Sequence, residues 1–100
     1  MSIKILCPEP DSFSEKGLVF TQSFSQLTIK KLSQDEFEEM APQYDAVLVR
    51  FNTKVGSNIF GKNSSVKAII SPTTGLDHID MESAKLHGVK VFHLRGKKRF

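Results

Sequence analysis

Ser71-Pro72-Thr73-Thr74-Gly75-Leu76-Asp77-His78-Ile79-Asp80 is the stretch that decides the fold. It follows the apolar run Val66-Lys67-Ala68-Ile69-Ile70, and it leads into Met81-Glu82-Ser83-Ala84-Lys85-Leu86-His87-Gly88. The flanks read as a strand and a helix, because Asp80 is placed to cap a helix over 81–87 and Gly88 to stop it in a left-handed conformation. The stretch is therefore a short polar turn between the carboxyl end of a strand and the next helix. In open α/β sheets that is where ligands bind.

The same alternation runs through the rest of the chain. Ile3–Cys7 is a short apolar strand ended by Pro8 and Pro10, and the Asp11-Ser12-Phe13-Ser14 segment can open a helix carrying Phe13, Leu18 and Val19 toward a core. Leu27–Leu32 reads as a second strand. Ser33-Gln34-Asp35-Glu36 has the spacing of a capping box, which predicts a helix with Phe37 and Met40 on one face, closed near Pro42. Asp45–Arg50 is apolar almost throughout, as a parallel strand covered on both faces must be. A short helix is expected around 57–62, presenting Ile59 and Phe60, and Val89–Leu94 is the last strand.

Five strands joined by helical connections predict an α/β fold, a flavodoxin-like three-layer sandwich with a five-stranded parallel sheet in the order 2-1-3-4-5. In that order the loops after strands 1, 3 and 4 line one crevice, which brings Pro8-Glu9, Arg50-Phe51-Asn52-Thr53 and Thr73-Thr74-Gly75 together. Arg50 offers a guanidinium suited to a carboxylate or phosphate, with Asn52 and Thr53 as neutral partners. Pairing with a surface acid such as Asp77 is the structural alternative. The 73–75 turn can direct backbone N–H groups at an anion, with Gly75 free to take a positive φ.

Composition sets further bounds. Hydrophobic residues make up 39% and charged residues 25% of 100 residues, as in a single soluble domain without internal repeats or linkers. Apolar runs are far shorter than the roughly 20 residues of a membrane span, so no membrane role and a cytoplasmic location are expected. Cys7 reads as a buried structural thiol. The net charge of +3 resides largely in the terminal Arg95–Arg99 segment, which gives no broad basic face for nucleic acid.

His78, His87 and His93 lack metal-ligand spacing and read as surface or cap-region side chains, so no metal is expected. Asp77 and Asp80 have structural work as loop and cap residues. A phosphoryl-accepting receiver would need an aspartate where Arg50 stands. A flavin carrier would need a donor-rich loop after strand 1, where two prolines and Glu9 occur instead.

Asp45-Ala-Val-Leu-Val-Arg50, Thr53-Lys-Val55, Val66–Ile70, Thr74-Gly-Leu-Asp-His-Ile-Asp80 and Ala84–Val91 together resemble the N-terminal substrate-binding lobe of the D-isomer-specific 2-hydroxyacid dehydrogenases, the phosphoglycerate dehydrogenase-like family. The resemblance implies a small 2-hydroxy or 2-keto acid as ligand, held by Arg50 and by the backbone around Thr74, Gly75 and Leu76, with Asn52 and Thr53 beside them. Phe51 and Ser71-Pro72-Thr73 depart from the family's usual residues.

No Gly-x-Gly-x-x-Gly sequence occurs. Residues 1–100 are accordingly expected to form one lobe without the nucleotide-binding domain, with no cofactor bound and no catalytic residue present. NAD and oxidoreductase activity are implied for the full-length enzyme. The rival reading is a non-catalytic interaction module acting through self-association. A homodimer is expected, formed through a sheet face left uncovered beside strands 1 and 2 or by exchange of the strand Val89–Leu94.

Overall fold

The computed structural model describes residues 3–61, 63–73 and 75–93. Its strands are β1 (Lys4–Cys7), β2 (Gln26–Ile29), β3 (Ala46–Leu48), β4 (Ala68–Ile70) and β5 (Lys90–Phe92), and its α-helices are α1 (Glu15–Gln22), α2 (Gln34–Met40) and α3 (Met81–Leu86). All neighbouring strands pair in parallel, in the order β2-β1-β3-β4-β5. The expected flavodoxin-like topology is thus observed.

The two sheet faces have different covers. Leu6, Val47, Val49 and Ile69 pack beneath Phe37 of α2, Ile59 and Ala84 of α3, which form the larger core. Ile5, Cys7, Ala46 and Leu48 point the other way and meet Phe13 and Leu18. A parallel sheet must be covered on both sides, and the apolar runs of β1 and β3 supply both faces.

Several elements differ in extent from the sequence reading. The helix expected from Asp11 begins later, with Ser14 as N-cap accepting from the Gly17 N–H, after a 3-10 turn at Pro10–Ser12. Phe13 precedes the helix and Val19 faces solvent. Where a helix was expected around 57–62, the described residues form the 3-10 turn Ser57–Ile59. Lys62 and Leu94 lie outside the described residues.

The capping box forms as expected: Ser33 Oγ accepts from the Glu36 N–H, and Glu36 Oε1 from the Ser33 N–H at 2.9 Å. Asp80 caps α3 by accepting from the Ser83 N–H at 3.1 Å. Gly88 follows α3 at φ +71°. Among the described residues, no helix is long and apolar enough to cross a membrane.

Candidate functional site

The loops after β1, β3 and β4 meet beyond the carboxyl ends of the strands. What holds the second and third together is a short bridge of parallel pairing between Val55 and Ile79, in which the Val55 N–H donates to the His78 carbonyl and the Asp80 N–H to the Val55 carbonyl, both at 2.8 Å. Beside the bridge, His78 and Ile79 are both buried.

Arg50 does not pair with Asp77. Its Nη1 donates to the Ser12 carbonyl at 3.1 Å, and its guanidinium carbon lies 5.6 Å from the centre of the Phe51 ring. Its Nε is buried without a hydrogen-bond partner among the described residues. Asn52 turns to the β1 loop, its backbone N–H donating to Glu9 Oε1 and its side-chain amide to Ser12 Oγ, each at 3.3 Å. Thr53 is buried beside them.

The other half of the expected site is arranged differently. The Thr73 N–H donates to the Ser71 carbonyl at 2.7 Å, and Thr73 Oγ1 donates to the Gly75 carbonyl at 2.8 Å. The turn therefore spends the Thr73 donor on itself rather than on an anion. Gly75 is not left-handed; among the described residues the positive-φ glycines are Gly61 and Gly88. Leu76 packs its side chain against the core. Thr74 lies outside the described residues.

Asn52 and Thr53 face a cleft of about 150 Å³ with Glu9 and Ser12. Gly75 faces another of about 310 Å³ with Phe51, Lys54, Asp77 and His78. Arg50 and Phe51 adjoin in sequence and in space, with the guanidinium reaching toward Ser12 and the ring toward His78.

His78 is the residue that sequence reasoning misplaced. It is buried rather than superficial, with only 7% of its surface exposed. Its Nε2 lies 2.8 Å from the buried Ser71 Oγ, its ring stands edge-on to Phe51 at 5.5 Å, and its Nδ1 is buried without a partner among the described residues. Burial pushes its pKa below the ordinary value, while the negative charges of Glu9 and Asp77 oppose that shift. No local pattern in the sequence marks its burial, which depends on the tertiary pairing of Val55 with Ile79.

His87 does act at a helix end, with Nδ1 2.9 Å from the Ser83 carbonyl. Cys7 is fully enclosed, and burial is the main cause that pushes its thiol up to about 11. No group of three His, Cys, Asp or Glu among the described residues could hold a metal ion.

Chemically, the crevice offers the Arg50 guanidinium, the Glu9 and Asp77 carboxylates, the Lys54 ammonium, neutral hydroxyl and amide groups, an aromatic wall and a buried imidazole.

Hydroxypyruvate reductase of Thermotoga maritima is 33% identical over 79 residues, covering 79% of this chain and 26% of that protein. D-3-phosphoglycerate dehydrogenase of Synechocystis sp. is 33% identical over 82 residues, covering 81% of this chain and 15% of that protein. This chain thus spans about a quarter or less of these relatives' length.

Among solved structures, a protein of Pyrococcus horikoshii OT3 superposes with a TM-score of 0.82 at 22% identity, over 96% of this chain and 28% of that one. The NAD+-bound 3-phosphoglycerate dehydrogenase of Entamoeba histolytica gives 0.76 at 22% identity, over 93% and 33%. These two likenesses speak to the fold. The family model described as D-isomer specific 2-hydroxyacid dehydrogenase, catalytic domain, matches residues 5–98, so this chain belongs to that family.

Proposed function

We propose that residues 1–100 form one substrate-binding lobe of an NAD-dependent oxidoreductase acting on 2-hydroxy or 2-keto acids, with Arg50 as the group that holds the acid's carboxylate. The observation that carries this reading is the open Arg50 Nε, a buried cationic donor at the crevice where the topology of the sheet reverses. Charge-assisted hydrogen bonds from a guanidinium to a carboxylate are among the stronger polar contacts a protein makes. Asn52, Thr53 and the backbone of 74–76 are the neutral groups proposed to complete the site, and Phe51 covers the guanidinium from one side.

The nicotinamide cofactor implied by the family does not fit the residues of this chain. The turn after β1 holds Pro8 and Pro10, which lack N–H donors, and the buried carboxylate of Glu9, which repels a pyrophosphate. The cofactor is accordingly assigned to a separate nucleotide-binding domain, and the task left to this lobe is to bind and orient the acid. NADH added to the purified chain is expected to give no saturable fluorescence change.

The test of the site is a titration of the chain with a simple 2-hydroxy acid, followed by amide chemical shifts. Shifts centred on Arg50, Asn52, Thr53 and Gly75 that vanish in Arg50→Ala are the expected result. Shifts confined to residues 95–100, or unaltered by the substitution, would overturn the assignment.

A further inference from the structure

Glu9 is 6% exposed, and the reading above gives it no role toward substrate. Its Oε1 accepts from Ser12 Oγ at 2.8 Å and from the Asn52 N–H at 3.3 Å, whereas Oε2 is buried with no partner among the described residues. Buried polar atoms are nearly always hydrogen-bonded, so an open acceptor in a binding crevice points to something that donates to it. Ser12 ties this acceptor to Arg50. Its hydroxyl donates to the Glu9 carboxylate while its carbonyl accepts from Arg50 Nη1, so one residue fixes both an open acceptor and an open donor.

Glu9 and Ser12 line the cleft of about 150 Å³, together with Asn52, Thr53 and Lys31. The Lys31 ammonium is already paired with Asp11 at 3.2 Å on the rim. The unbalanced charge facing this cleft is therefore the Glu9 carboxylate.

We infer that this cleft is a specificity subsite, in which Glu9 accepts a hydrogen bond from a hydroxyl on the tail of a short hydroxy acid whose carboxylate is held at Arg50. The inference deepens the proposed function and rests on it. A hydroxyl supplies the donor that Oε2 lacks. A phosphoryl group brings up to two negative charges at neutral pH, and beside a buried carboxylate it is repelled. The cleft, of about 150 Å³, admits a hydroxymethyl tail. Glu9 is a specificity-determining residue in this arrangement, and Ser12 positions it.

Amide-shift titrations of the chain with D-glycerate, D-lactate and D-3-phosphoglycerate test the subsite, because the three acids differ only at the tail. Glycerate is expected to bind about tenfold more tightly than either of the others, with shifts at residues 9, 12 and 52. In Glu9→Gln the preference over phosphoglycerate is expected to shrink by about tenfold, since the repelling charge is gone. Equal affinities of the unaltered chain for all three acids, or a ratio unchanged in Glu9→Gln, overturn the role of Glu9 while leaving Arg50 as the anion group. Absence of saturable shifts with every acid sinks both readings together. The ranking in the unaltered chain decides the matter even where the variant does not fold.

Discussion

His78 shows what one buried titratable ring imposes on the chain. Unfolded, it takes up a proton near its ordinary pKa of about 6.5. Folded, burial lowers that value, so the unfolded state binds more protons through the window between the two. Its contribution to stability is thus present in full above the unfolded value and is lost as the pH falls through the folded one. The melting temperature is expected to drop between pH 7 and pH 5, and His78→Asn should flatten that drop. An acid slope identical in the variant would exclude His78 as its source.

Arg50 and His78 differ in how far the sequence announces them. Arg50 ends a run of buried apolar residues, so its position at the strand's carboxyl end was legible. Its partner Ser12 was not, because the contact joins residues 38 apart in the chain and depends on the 3-10 turn at Pro10–Ser12. His78 sits between Asp77 and Ile79, and nothing local distinguishes its burial from exposure. Only pairing of Val55 with Ile79 settles it. Within the expected anion-directed turn at 73–75, Thr73 bonds locally to the Ser71 and Gly75 carbonyls, and such local bonds compete for donors that the sequence alone offers to an anion.

At the scale of elements, the caps of α2 and α3 and the stop after α3 were read correctly because their chemistry is local. Ser33 with Glu36, Asp80, and Gly88 each act where their spacing places them. Strand ends were less legible, since apolar residues such as Val66 and Val89 serve the core just outside the ladder. The two glycines flanking α3 make opposite predictions.

Gly88 stands at φ +71°, and a Cβ built there meets no atom within 4 Å, so Gly88→Ala costs backbone strain alone. A loss of about 1 kcal/mol is expected in denaturant unfolding. At Gly75 a Cβ would touch the Phe51 ring at an ordinary 3.8 Å, and no positive φ is required. Gly75→Ala should therefore stay within about 0.5 kcal/mol of the parent. Equal losses at the two sites would show that the left-handed stop after α3 is not what the helix end depends on.

Across the whole molecule, the covering of the two sheet faces is unequal. An uncovered sheet face beside β1 and β2 was expected; Ile5 and Cys7 are enclosed beneath Phe13 and Leu18, while Ile3 just before β1 and Ile29 of β2 are 49% and 39% exposed. The larger exposed apolar surface lies on the outer side of α1 and the residues after it. Phe20 is 69% and Phe24 53% exposed, the two rings meet edge-on at 5.5 Å, and Val19 lies beside them in the chain. On the far edge of the same sheet face, Phe92 of β5 is also exposed.

Covering a large apolar side chain stabilises by roughly 1.5–3 kcal/mol, a substantial part of the roughly 5–15 kcal/mol that holds a small domain folded. A paired aromatic patch of this kind favours a symmetric contact in which each copy presents the same surface. A homodimer packed through α1 is therefore the expected assembly, in preference to exchange of the last strand, because β5 is already paired in register with β4. Sedimentation equilibrium over a wide concentration range should show association that weakens at least tenfold in Phe20→Ser/Phe24→Ser, the equivalent of about 1.4 kcal/mol. A monomer at every concentration would mean that the α1 aromatics remain in water and that the chain is stable with them there; association undiminished in the double variant would move the contact to the β5 edge.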